Sequence, residues 1–282
     1  MYNVKDYLLG ETAWCPGCGN FSIRGALAGA LAELQLSPHE VLIVSGIGQA
    51  AKMPHYINAN GFNGLHGRAL PAALGALVAN NKLKIIVDTG DGDSYGEGGN
   101  HFIHNIRRNP DLAHFIHDNQ IYGLTKGQAS PTSEPGMKTG VQTEGVILEP
   151  LNPLALALTM GAGFIARCYS AEKDHLKETM KAAIEFPGYA LIDILQPCVS
   201  FNKINTYKWY GERVYFPEIE DPQDRNRAKE LAMQWGDKIP LGIFYNKPRP
   251  TFESHLKALG NGPLAMQPFE PQQVASVQDE FK

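Results

Sequence analysis

Cysteine is scarce in this chain, with four in 282 residues, and so few favour metal or redox roles over a structural disulfide framework. Long apolar runs are missing as well. No window holds 18 uncharged apolar residues, so no membrane-spanning helix is expected. The opening stretch MYNVKDYLLG carries an acidic residue and no extended apolar run, so no signal peptide is expected, and the cytoplasm is the expected compartment. Nor is either charge in large excess. A net charge of −4 argues against nucleic acid or a broadly anionic surface as partner, while leaving local basic residues to meet a small anion. The sequence contains no internal repeat and no low-complexity tract. What is present is a hydrophobic fraction of 43%, enough for the core of one large domain with extensions or of two small ones.

From about residue 20 to 195, helical and strand patterns alternate. Ile23, Leu27, Ala30, Leu31 and Leu34 recur at helical spacing, and HEVLIVSG after them reads as a short buried strand. Next come the small-residue helix ALPAALGALVAN, the strand LKIIVDTG, a helix from about Glu97 to Arg108 and the strand AHFIHD. The helix LALALTMGA, the strand FIARC, the helix AEKDHLKETMKAAIEF and the strand YALIDI continue the alternation. Strands separated by helices require crossover connections. The expected fold is therefore α/β, a mostly parallel sheet with helices on both faces. Residues 123–150 read as a loop too long to be mere connection, and loops of that length are usually functional or disordered. Beyond about Asn202 the periodicity lapses. Residues 201–282 are expected to form a C-terminal extension packing on the 1–200 domain or on a partner subunit.

Two strands end in short polar side chains. LKIIVDTG runs into GDGD, and the next strand ends in Asp118-Asn119, with Asn119 lying 28 residues after Asp91. Parallel α/β sheets gather ligands beyond the carboxyl ends of their strands. Gly90 and Gly92 let the backbone approach a bulky anion, which would meet the N–H groups opening the following helix. The Asp91 carboxylate, the Asn119 amide oxygen and a nearby carbonyl such as that of Ile121 are ligands of the kind Mg²⁺ takes together with phosphate oxygens. Either strand end alone is an ordinary turn signal. The pair at this spacing points to a magnesium diphosphate.

The GDG and the later asparagine resemble the diphosphate-binding signature of thiamine diphosphate enzymes, which implies magnesium on Asp91, Asn119 and the carbonyl of Ile121. The segments WCPGCGN, SGIG, GFNGLHGRALP, GDGD…GGNHFIH…RRN, DNQIYGLTKGQASPTS and QPC occur in that order. Over roughly residues 10–215 they are similar to the β subunit of 2-oxoacid:ferredoxin oxidoreductases, the 2-oxoglutarate and pyruvate synthase group. The resemblance implies oxidative decarboxylation of a 2-oxoacid, with 2-oxoglutarate favoured over pyruvate, to acyl-CoA and CO₂. Electrons would pass singly to ferredoxin, or the reaction would run in reverse to fix CO₂. It further implies cofactor contacts from Ser45, Gly46 and Ile47 of SGIG and from Gly90, Asp91, Gly92 and Asp93, while His66, just ahead of a helix, fits either a hydrogen bond to a phosphate or a structural role. At the substrate end it implies Lys52, Leu124 and Lys126, the lysines acting as point charges for a carboxylate. A thiamine diphosphate site in this superfamily lies between two α/β domains, and this chain has room for one such sheet. The pyrimidine-binding half is therefore expected from an α subunit, in a heterotetramer of two α and two β chains.

Cys15 and Cys18 form a C-x-x-C on a Pro-Gly turn, which by itself fits a zinc half-site, a redox dithiol or a plain turn. The resemblance implies a [4Fe–4S] cluster on Cys15, Cys18, Cys198 and a fourth cysteine, but Gln49 stands where many relatives carry that fourth thiol. Four-iron clusters are usually held by four thiolates, and Cys168 in FIARC reads as a small buried core residue. An unusual fourth ligand, a three-iron cluster and no cluster all stay open. Two other functions also stay open: a non-oxidative thiamine diphosphate decarboxylase or carboligase subunit, and a non-catalytic iron–sulfur electron-transfer subunit. His101, His104, His114 and His117 lack a metal-binding pattern and are expected to be structural.

Overall fold

In the computed structural model, which describes residues 1–268 and 271–281, α1 (Val4–Tyr7) and α2 (Asn20–Glu33) precede β1 (Val41–Ser45) and the short β2 (Asn60–Asn63). Then follow α3 (Ala69–Ala79), β3 (Lys84–Gly90), α4 (Gly99–Arg108) and β4 (Leu112–Asp118). A small hairpin, β5 (Ile121–Tyr122) and β6 (Gln128–Ala129), leads through a long loop to α5 (Pro153–Thr159), β7 (Phe164–Tyr169), α6 (Lys173–Glu185) and β8 (Tyr189–Leu195). The extension contributes α7 (Tyr207–Gly211), β9 (Val214–Tyr215), α8 (Arg225–Met233), β10 (Ile239–Pro240), β11 (Gly242–Asn246) and α9 (Pro271–Asp279). Among the described residues, no helix is long and apolar enough to cross a membrane.

The main sheet has the order β11-β7-β8-β4-β3-β1-β2. Its strands run parallel except β11, which pairs antiparallel with β7 at the edge. The central strands are buried almost without interruption because both faces are covered. Ile86 of β3 packs with Ile43, Phe115 and Ile192 beneath α2 and α6, where Ile23, Leu27, Leu31 and Met180 complete the layer. Its neighbours Ile85 and Val87 turn to the opposite layer with Ile116, Leu191, Phe102 and Leu154, under α3, α4, α5 and α8. His114 and His117 are buried within β4. His114 shares hydrogen bonds with Tyr189, Thr89 and Ser94, and burial pushes its imidazole down to about 3.

Two local features differ from the sequence reading. The helix expected from Glu97 begins at Gly99, and residues Gly92–Glu97 form a π turn closed by Gly98 N–H donating to the Asp93 carbonyl. Glycines at 92, 96, 98 and 99 disfavour regular helix there, and such wide turns concentrate at functional sites. The 123–150 loop opens with the β5–β6 hairpin instead of irregular chain. The extension packs on the core. Besides β11, Asn109 donates to the carbonyls of Arg249 and Pro250, and Arg249 donates back to the carbonyl of Gly161.

Candidate functional site

Because β3 and β4 are parallel neighbours with Gly90 opposite His117, Asp91 and Asn119 leave the sheet at the same edge. Strand β1 flanks β3 on the other side and brings Ser45, Gly46 and Ile47 to that edge. The resulting narrow cleft is lined by Ile47, His66, Asp91, Asp93, Asn119, Ile121 and Leu124, among others. Two glycines are required by close approach. A Cβ on Gly46 would lie 2.1 Å from Asp93 Oδ2, and one on Gly92 would lie 2.3 Å from the Tyr122 ring.

Asp93 clasps three segments together. Its Oδ1 accepts from Ile47 N at 3.0 Å and from Gly67 N at 2.8 Å, and His66 Nδ1 stands 2.7 Å from the same oxygen. Burial pushes this carboxyl up, and the two N–H donors draw it back. Ser45 braces the tip of β1: its hydroxyl donates to the Ala51 carbonyl and accepts from Asn63.

Asp91 is buried, and its Oδ2 accepts from Ser130 Oγ at 2.5 Å and from Thr132 Oγ1 at 2.6 Å. Burial pushes its carboxyl above the usual range against these donors. Thr132 Oγ1 also lies 2.8 Å from Asp118 Oδ1. One hydroxyl proton cannot serve both carboxylates. Burial, with Asp193 and Asp91 close by, pushes the Asp118 carboxyl well up. Asn119 is oriented on both sides. Its Oδ1 accepts from Ile121 N at 3.0 Å, and its Nδ2 donates to Gln196 Oε1 at 3.3 Å. A buried carboxylate, an oriented amide oxygen and a backbone free of Cβ atoms fit a divalent cation with a diphosphate, since the cation relieves the cost of the buried charge.

The substrate-end residues divide. Leu124 lines the cleft, whereas among the described lining residues neither Lys52 nor Lys126 occurs. Lys52 lies on the 3₁₀ stretch Ala50–His55 that follows β1. Lys126 is exposed at the hairpin tip, in left-handed backbone at φ 81°. Ser130, Thr132, Asp118 and Gln196 are not singled out as site residues by the sequence. The hydroxyl-rich SPTS stretch is a visible signal, but no spacing rule ties it to Asp91.

Cys15, Cys18 and Cys198 line a second narrow cleft together with Gln49. It shares Gln49, Asn119 and Gly123 with the first. The C-x-x-C turn is closed by Cys18 N–H donating to the Cys15 carbonyl at 3.0 Å. Gln196 Nε2 donates to Cys18 Sγ at 3.3 Å, and Ser200 Oγ donates to Cys15 Sγ at 3.1 Å. Burial, then Cys198 and Cys15, push the Cys18 thiol up to about 11. Among the described residues, no three His, Cys, Asp or Glu side chains form a ligand set for a single metal ion. Three thiols on one cleft, two of them met by hydrogen-bond donors, fit an iron–sulfur group with one thiolate fewer than usual. Cys168 is fully buried among apolar side chains on β7.

A glycine-rich cleft with a buried carboxylate at the carboxyl edge of a parallel sheet suits a phosphate-bearing cofactor, and comparison with known proteins specifies the class. Residues 43–194 match the family described as thiamine pyrophosphate enzyme, C-terminal TPP binding domain. Residues 198–261 match the C-terminal family of the pyruvate ferredoxin oxidoreductase beta subunit. The chain is 43% identical over 289 residues to the β subunit of 2-oxoacid:ferredoxin oxidoreductase 1 of Aeropyrum pernix, covering 95% of this chain and 91% of that one. It is 45% identical over 258 residues to the β subunit of the 2-oxoacid:ferredoxin oxidoreductase of Saccharolobus solfataricus, covering 86% and 85%. A solved 2-oxoglutarate:ferredoxin oxidoreductase from Magnetococcus marinus, with 2-oxoglutarate, coenzyme A and succinyl-CoA bound, superposes with a TM-score of 0.91 at 36% identity over 98% of this chain and 96% of that one. The chain belongs to the β subunits of the 2-oxoacid:ferredoxin oxidoreductase family, a family of oxidoreductases.

Proposed function

We propose that this chain is the diphosphate-holding half of a thiamine diphosphate enzyme that oxidatively decarboxylates a 2-oxoacid, 2-oxoglutarate in preference to pyruvate. The products are acyl-CoA and CO₂, with electrons passing singly to ferredoxin, and the CO₂-fixing direction uses the same site. The observation that carries this reading is that Asp91 and Asn119, just beyond the ends of adjacent parallel strands, line one cleft with Ile121. Asp91, the Asn119 amide oxygen and the Ile121 carbonyl would hold Mg²⁺. Gly90, Gly92, Asp93, His66 and the Ser45–Ile47 segment would surround the diphosphate. When bound, the cofactor supplies the carbanion and electron sink for decarboxylation. The chain's own residues supply position, charge and exclusion of water. Lys52 and Lys126 would meet the substrate carboxylate, and Leu124 would form an apolar wall beside it. The 2-oxoglutarate and succinyl-CoA named for the solved relative support the substrate class.

The cysteine cleft would be the electron exit, and its shared wall with the first cleft supports transfer over a short path. Val141, Ile147 and Leu148 are 65%, 89% and 73% exposed. Ile147 and Leu148 line an open cavity of about 980 Å³ together with Tyr122 and Ser130. Apolar side chains so exposed beside a cofactor site suit cover by another chain, here the pyrimidine-binding α subunit, in an α₂β₂ assembly. The test is co-purification with the α subunit, then viologen reduction with CoA over several 2-oxoacids. Asp91→Ala should abolish both magnesium-dependent thiamine diphosphate binding and turnover. Binding that survives this substitution rejects the assignment.

A further inference from the structure

Gln49 lines the same cleft as Cys15, Cys18 and Cys198, and its Oε1 is buried without a hydrogen-bond partner. A buried, unpaired amide oxygen is costly and calls for an explanation. The rest of the residue is held in place: Trp14, next to Cys15, donates its indole N–H to the Gln49 carbonyl at 2.8 Å. That bond ties the Gln49 backbone to the segment carrying the C-x-x-C, and the side chain brings an unpartnered acceptor to the cleft that the three cysteines line. Cys168 cannot complete the set, because it faces the apolar layer beneath α2 and α6.

We propose that this chain binds a four-iron cluster through only three thiolates, those of Cys15, Cys18 and Cys198, with the Gln49 amide oxygen facing the fourth iron. This rests on the electron-exit part of the functional reading above. A neutral oxygen holds that iron more weakly than a thiolate would, since soft sulfur donors are the preferred ligands of such clusters. The iron that this oxygen would face is thus the exchangeable one. Mild oxidation follows from this. The [4Fe–4S]²⁺ cluster gives one electron to ferricyanide and releases Fe²⁺, leaving [3Fe–4S]⁺ on the three cysteines.

The experiment uses the complex with its α subunit, purified without oxygen, as wild type, Gln49→Ala and Gln49→Cys. Iron, zinc, acid-labile sulfide and thiamine diphosphate are measured, with EPR before and after one equivalent of ferricyanide. Wild type should lose about one quarter of its iron and gain a three-iron signal. Gln49→Ala should show that signal more readily, and Gln49→Cys should keep its iron and stay silent. Thiamine diphosphate content reports that each variant is folded. A wild-type cluster that keeps its iron as firmly as Gln49→Cys overturns the proposal, as does zinc without sulfide or a metal-free chain that still binds the cofactor. Absence of both iron and thiamine diphosphate overturns the functional reading and this proposal with it.

Discussion

Asp91 is a carboxylate placed where charge is costly, and the residues around it show how the chain manages the cost. Ser130 and Thr132 donate to it, and Asp118 stands behind Thr132. Such an arrangement holds an acceptor ready for a cation without leaving it wholly uncompensated. Lys126 presents the opposite case. It is exposed and adopts a backbone conformation that a non-glycine residue seldom takes. Strain of this kind persists where surrounding structure demands it, here at the tip of the hairpin that holds Leu124. Lys126→Met keeps most of the side-chain length and removes the charge. The KM for the 2-oxoacid should rise about 10- to 100-fold, matching the loss of a charged hydrogen bond, with thiamine diphosphate affinity unchanged. Steady-state kinetics and cofactor titration check both halves, and an unaltered KM takes Lys126 out of the site.

At the scale of elements, the site is made by ends and turns more than by the helices and strands themselves. Strands β1, β3 and β4 deliver SGIG, GDGD and Asp118-Asn119 to one edge, and Asp93 then locks β1 to the Gly67 turn. The π turn after Asp91 replaces the first turn of the expected helix. Gly46→Ala tests the clasp. The added Cβ would strike the Asp93 carboxylate, so that side chain must move and release Ile47 and Gly67. Overpacking at this point should cost about 1–3 kcal/mol and weaken thiamine diphosphate binding. Denaturant unfolding together with cofactor titration would show it, and a variant as stable and as tightly binding as wild type would mean that Asp93 is dispensable.

For the molecule as a whole, the buried charges set a pH dependence. Asp193 on β8 accepts from Tyr95 Oη at 2.8 Å and lines a cavity of about 210 Å³ with Asp118, Thr132 and Arg167. Burial pushes its carboxyl from 3.8 up to about 6, against the opposing pull of Arg167. Between those values the folded chain binds more protons than the unfolded one. The contribution of Asp193 is therefore complete below about pH 4 and is lost as pH rises through about 6. The Tm of wild type minus that of Asp193→Asn should fall across this window and level off above it. A difference that stays flat from pH 4 to 7 would mean Asp193 is not proton-linked to folding.

The alternation of helix and strand was legible because hydrophobic periodicity is a local property, written within each segment. So were the parallel sheet and the two polar strand tips, since a strand–helix–strand repeat sends consecutive strands the same way. The C-x-x-C and the missing fourth thiol could also be read directly. Nothing local could pair Ser130 and Thr132 with Asp91, Tyr95 with Asp193 across 98 positions, or the unpaired oxygen of Gln49 with cysteines 15, 18 and 198. Those meetings depend on which strands become neighbours and on how a long loop folds back over their ends. The sequence alone determined the elements and the chemistry they carry. Only the tertiary structure decided which polar atoms share a buried space, because the cost of burying them is incurred between segments, not within them.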